Sequence, residues 1–146
     1  VPDTTNAKAT ATTALLTTER GTIMLPELGW PLTHIYELRM GDLAGLSLEV
    51  LLNGLPSIIT GDLQLAQDVE FKVNGSEVLA TIKKPTFPAI YLEERLTSLY
   101  NSIGCPLSCS IGEAIAKCSK REVSYLGYAS LIPAETIEFR YMLGPE

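Results

Sequence analysis

The chain has 146 residues, 46% of them hydrophobic and 19% charged, with a net charge of -6. That is the length of one domain, enough to bury a core without disulfides or metals. The acidic balance excludes a phosphate-backbone surface, which needs Lys and Arg gathered on one face. Lys117, Lys120 and Arg121 form the densest basic cluster, with Lys83 and Lys84 next, and neither amounts to such a surface. Nucleic acid is therefore not an expected partner. A membrane span needs about 20 apolar residues in a row. The longest run, "GLSLEVLLNGL", is interrupted by Ser47, Glu49 and Asn53, so no membrane is expected either.

Residues 3–18, "DTTNAKATATTALLTT", are rich in Thr and Ala and nearly uncharged. Such a tract has little apolar surface to offset the entropy of ordering it. Residues 1–18 read as a flexible N-terminal arm, in which Leu15 and Leu16 could start a strand, and 19–146 as a single domain. The arm suits an extended path along a neighbouring subunit. The chain begins at Val1 rather than Met, which reads as a processed or trimmed terminus and leaves room for a removed signal peptide.

Pro26 and Pro31 bracket "ELGW", a turn or a single helical turn. From Thr33 the pattern takes period two, with His34, Tyr36, Leu38 and Met40 on one face and Ile35, Glu37 and Arg39 on the other. A second alternating run sets Leu46, Leu48, Val50 and Leu52 against Ser47, Glu49, Leu51 and Asn53. Two strands joined by the Gly-containing "GDLAG" loop are expected, with a helix over 43–52 as the competitor because Leu is a strong helix former.

"DVEFKVNGSEVLATIKK" is the best-defined local unit. Asn74-Gly75 supplies the positive φ of a tight hairpin turn, which predicts a hairpin over 69–83 with Phe71 opposite Val78 and Val69 opposite Ala80. A longer loop would shift the pairs and keep the apolar face. This explains Asn74 without the glycan that Asn74-Gly75-Ser76 formally permits. Pro85 and Pro88 end the second strand. Leu92, Leu96, Leu99, Tyr100 and Ile103 then take helical spacing, closed by Gly104.

A second helix follows in "GCPLSCSIGEAIAKC", where Leu107, Ile111, Ala114, Ile115 and Cys118 form one stripe. Pro106 suits its first turn, while Ser110-Ile111-Gly112-Glu113 offers a capping box four residues later. The end of the chain reads as another hairpin, "VSYLGYASL" and "TIEFRYML", with Ile137, Phe139, Tyr141 and Leu143 inward. The expected class is α+β, a mostly antiparallel sheet built from hairpins. Two consecutive helices, about 91–103 and 106–119, are expected to pack on one face.

All three cysteines, Cys105, Cys109 and Cys118, fall within that second helix and its start. An odd number fits a reducing compartment better than a paired secreted framework, so a cytoplasmic location is expected. Cys118 belongs to the apolar stripe, where a free Cys behaves as a small hydrophobe. Cys105 and Cys109 lie at the positive end of the helix dipole, a position that favours the thiolate. They are the candidate reactive thiols. The one histidine, His34, is remote in sequence, and a zinc site needs tighter ligand pairs than Cys105 with Cys109 alone provides. No metal, cofactor or catalytic group is expected. There is no phosphate-binding Gly-rich loop, nucleophile elbow or HExxH. Glu93-Glu94 suit a helix start, and Glu27, Glu37, Asp42 and Glu49 could form a carboxylate pair in space, which spacing alone does not show. The reading leans away from an enzyme and towards a binding or assembly domain, for a second copy, a protein partner or a small apolar ligand. A homo-oligomer is expected, a dimer before others. The alternative is a thiol-dependent redox or regulatory protein using Cys109 with Cys105.

Overall fold

The computed structural model describes residues 16–18, 21–23, 26–92, 104–132 and 135–145. In chain order these form β1 (Leu16–Thr18), β2 (Gly21–Ile23), α1 (Pro26–Met40), α2 (Leu48–Ser57), β3 (Ala66–Asn74), β4 (Glu77–Pro85), α3 (Ala89–Leu92), α4 (Pro106–Ser119), β5 (Val123–Ile132) and β6 (Thr136–Leu143). The strands make one sheet in the order β2-β1-β5-β6-β4-β3. Every pairing is antiparallel except β1 with β5. The class is α+β with a mostly antiparallel sheet.

The expected strand over 33–40 is instead the body of α1. Alternation would send Thr33 and Tyr36 to opposite faces, yet both are buried, and their three-residue spacing places them on one helical face. That face meets a matching one on α4. Thr33 Oγ1 donates to Glu113 Oε2 at 3.3 Å, the Tyr36 and Ser110 hydroxyls pair at 2.8 Å, and Lys117 Nζ donates to Glu37 Oε1 at 3.3 Å. Leu38, assigned to the apolar side by period two, is 71% exposed. Pro31 does not end the helix. It lies one turn into it, where its missing N–H removes a single bond to the Glu27 carbonyl.

The second expected strand is also helical. Ser47 caps α2 by accepting from the Val50 N–H at 3.2 Å. The buried residues Leu51, Leu52, Leu55, Ile58 and Ile59 follow i, i+1, i+4, i+7, i+8, a helical stripe continued through a π-turn at Ile58–Asp62. A helix, the competing reading over 43–52, forms, but as Leu48–Ser57 after a separate turn at Leu43–Gly45.

Both hairpins form, but the turn and pairs expected for the first, at Asn74-Gly75 with Phe71 opposite Val78 and Val69 opposite Ala80, are not the observed ones. In β3–β4 the closing pair is Asn74 with Glu77, so Phe71 lies opposite Ala80 and Val69 opposite Ile82. The two-residue turn is Gly75-Ser76, one position later than expected, so each expected pair is shifted by two residues while the same face stays inward. Gly75, at φ +63, takes the first central position of the turn. In β5–β6, Ile137, Phe139, Tyr141 and Leu143 are all buried, and the pairing shifts register between Tyr125 and Tyr128.

α4 keeps the predicted span and is the centre of the fold. Leu107 through Ala116 are buried without interruption, so the helix is enclosed on all sides rather than along one stripe. Small residues (Ser108, Ser110, Gly112, Ala114, Ala116) let neighbours approach closely. Its other large side chains, Ile111 and Ile115, each contribute about 1.5–3 kcal/mol by burial. Tyr141 of β6 donates to the Ser108 carbonyl at 2.6 Å, and Cys118 Sγ to the Leu46 carbonyl at 3.0 Å. Of the helix expected at about 91–103, Tyr91 and Leu92 are described, as the end of α3, and Leu92, expected on its apolar stripe, is half exposed; 93–103 lie outside the described residues. Residues 1–15 of the expected arm lie outside the described residues, and its last three, Leu16–Thr18, are strand β1.

Candidate functional site

The start of α4 is built around sulfur. Cys105 is the N-cap, with extended backbone, and Pro106 follows in the first turn. Cys105 Sγ accepts from the Ser108 N–H at 3.4 Å, while Ser108 Oγ accepts from the Cys105 N–H at 2.8 Å. This is the reciprocal capping box with a thiol replacing the usual hydroxyl. The box offered by Ser110 is not used. Its hydroxyl donates to the Leu107 carbonyl at 2.7 Å and pairs with Tyr36. Gly104 makes the approach to the cap with φ +86.

Beside this helix start lies a cavity of about 420 Å³. Among the described residues, four separate segments wall it. Pro31 and Leu32 come from α1, Leu65 precedes β3, and Pro85, Phe87, Ile90 and Tyr91 come from the end of β4 through α3. Cys105, Pro106 and Leu107 open α4. The described walls are apolar apart from two groups, which touch each other: the Tyr91 hydroxyl and Cys105 Sγ lie 3.3 Å apart. Tyr91 is held edge-on to Tyr128, with ring centroids 5.4 Å apart, and also packs against Phe139. Burial, with Cys105 beside it, pushes the Tyr91 hydroxyl far above the ordinary tyrosine range. It is a fixed neutral hydrogen-bonding group, suited to orienting a polar end of a ligand.

The candidate thiols divide here. Cys105 lines the cavity and is 2% exposed, whereas Cys109 is 1% exposed and does not line it. Burial, followed by the neighbouring Cys105 and Glu113, raises the Cys109 thiol well above its usual value. The helix dipole acts the other way and is outweighed, because removing a thiolate from water costs more than one helix end returns. All three cysteines are free. His34 is on the exposed side of α1, and among the described residues no group of three His, Cys, Asp or Glu could hold a metal ion.

The carboxylates sort into structural roles. Glu113 is buried, and burial raises its carboxyl above the ordinary value, with Lys117 and Thr33 opposing. Lys117 lies 3.3 Å from Glu37 and 4.0 Å from Glu113. This network joins α1 to α4, and none of its residues lines the cavity. Asp42 caps the short turn at Leu43–Gly45, and Glu49 borders a separate groove beside β3. The side chains of Glu27, Glu93 and Glu94 lie outside the described residues. Sequence reasoning did not single out Leu32, Phe87 or Tyr91. The available signal was "PTFPAIY", an apolar stretch placed where a loop should be polar. Comparison with protein-family models, curated proteins and solved structures finds no match for this chain. Among the described residues no helix is long and apolar enough to cross a membrane.

Proposed function

We propose that this protein is a non-enzymatic binding domain that takes a small apolar ligand in the cavity between α1, α3 and the start of α4. The observation that carries the proposal is a cavity of about 420 Å³ whose walls, among the described residues, are apolar except for one hydroxyl and one thiol. Ligand sites fall in the range of roughly 300–1,000 Å³ and combine apolar walls with a few placed polar groups. The Tyr91 hydroxyl and Cys105 Sγ supply that polar end, and the ligand is a molecule with one hydrogen-bonding group on an apolar body. The thiol-dependent alternative gains no support from the burial of Cys109.

The test is titration of the protein with N-phenyl-1-naphthylamine, a neutral apolar fluorophore. Saturable one-site binding is expected, and Leu32→Trp, which fills the cavity from α1, should abolish it while circular dichroism stays unchanged. Absent binding, or binding indifferent to Leu32→Trp and to Ile90→Trp, would overturn the proposal.

A further inference from the structure

β3 ends the sheet order, and among the described residues it pairs only with β4. Asn74 and Glu77 close a two-residue turn, so they are a hydrogen-bonded pair, and bonding sides alternate along an antiparallel strand. Glu70, Lys72 and Asn74 therefore bond to β4, while Val69, Phe71 and Val73 turn their N–H and C=O groups to the free edge. The Val69 N–H confirms the alternation, since it goes to its neighbour's carboxylate, Asp68 Oδ1, at 2.9 Å. The same three residues carry the apolar face. Val69 is buried, Phe71 half-buried and Val73 49% exposed. A groove of about 360 Å³, lined by Leu48, Glu49, Leu52, Asn53, Phe71 and Val73, opens alongside.

We propose that β3 pairs antiparallel with β3 of a second copy of this chain, about a two-fold axis through Phe71, to form a continuous sheet across a dimer. Charge favours a second copy as the occupant, and among the registers this one alone forms opposite-charge pairs without setting like charges against each other. In this register each Glu70 lies opposite Lys72 of the other copy, twice over, and Asp68 lies opposite Asn74. Centring the pair on Glu70 or Lys72 sets a like charge against itself, and centring it on Val69 sets Asp68 against Glu70. Like charges directly opposite are destabilising and opposite ones stabilising. The Phe71 register also places every outward backbone group of Val69, Phe71 and Val73 in a narrow hydrogen-bonded pair. Val73 then meets Val69 of the second copy, and the two Phe71 rings meet at the axis beside the paired grooves. Edge strands are commonly blunted by charge; here the charges of one edge complement a second copy of itself.

The experiment is sedimentation velocity on the full chain at tens of micromolar. A mass twice the 15.8 kDa of the monomer is expected. Glu70→Lys and Lys72→Glu, made separately, each set two like-charge pairs in place of two attractive ones and should weaken the dimer by about tenfold or more. The double reversal E70K/K72E should restore it. Lys83 bonds Glu70 within the chain, so circular dichroism monitors the fold of Glu70→Lys, and Lys72→Glu carries the test if that variant unfolds. A monomer mass for the parent protein overturns the proposal. So does a dimer indifferent to both single variants, or one that the double reversal fails to restore.

Discussion

Replacing Gly104 by Ala tests the packing around the start of α4. The residue has φ +86, and a Cβ added there would lie 2.9 Å from Cys109 Sγ and 2.9 Å from Ser108 Oγ. Left-handed backbone costs an L-residue about 1–2 kcal/mol. Forcing a methyl group into a filled site costs about 1–3 kcal/mol more. Ser108 Oγ has little freedom to retreat, because it accepts from the Cys105 N–H at 2.8 Å and donates to the Cys105 carbonyl at 3.1 Å. We expect Gly104→Ala to cost about 3 kcal/mol, a sizeable part of the ~5–15 kcal/mol that stabilises a typical domain. Urea unfolding followed by circular dichroism reads this as a midpoint lower by roughly 1–2 M at an unchanged slope. Adding Cys109→Ala removes one of the two close contacts, so the double variant should lose less than the two single losses added together, by about 1 kcal/mol. A loss for Gly104→Ala below about 0.5 kcal/mol, the range of surface substitutions, would refute the reasoning.

Two further predictions concern buried ionisable and sulfur groups. Burial raises the Glu113 carboxyl above its ordinary 4.5, so between 4.5 and the raised value the folded protein holds a proton that the unfolded chain has released. Stability should fall as pH rises through that window. In Glu113→Gln this component of the pH dependence should vanish in thermal melts; a slope identical to that of the parent protein would count against the assignment. All three thiols should resist Ellman's reagent in the native protein and titrate together on unfolding, with Cys118→Ala costing about 1 kcal/mol from lost packing and its bond to the Leu46 carbonyl. Rapid labelling of one thiol in the folded state would show that the helix start is open.

The parts legible in the sequence are those decided within a few residues. Gly75 turns a hairpin because the turn needs positive φ, whatever lies across the sheet; Asn74, expected in the turn, ends the strand instead. Ile137, Phe139, Tyr141 and Leu143 alternate because a strand has two faces. Pro106 and the stripe from Leu107 to Cys118 mark α4 because its first turn and period are local. Residues 33–52 were different. Leu, Ile, Tyr and Met stand so densely there that periods of two and 3.6 both fit, and the partner decides. Thr33, Tyr36 and Glu37 are drawn onto one face by Glu113, Ser110 and Lys117, about eighty residues on, which only a helix can satisfy at once. The same distance hid the cavity. Its described walls come from four segments, and their two polar groups are fourteen residues apart, joined by the fold. The sequence alone placed Cys109 at a helix start and so near a favourable dipole. Tertiary structure decided its chemistry, because the sheet and α1 enclose α4, and loss of water around a thiol outweighs the field of one helix end.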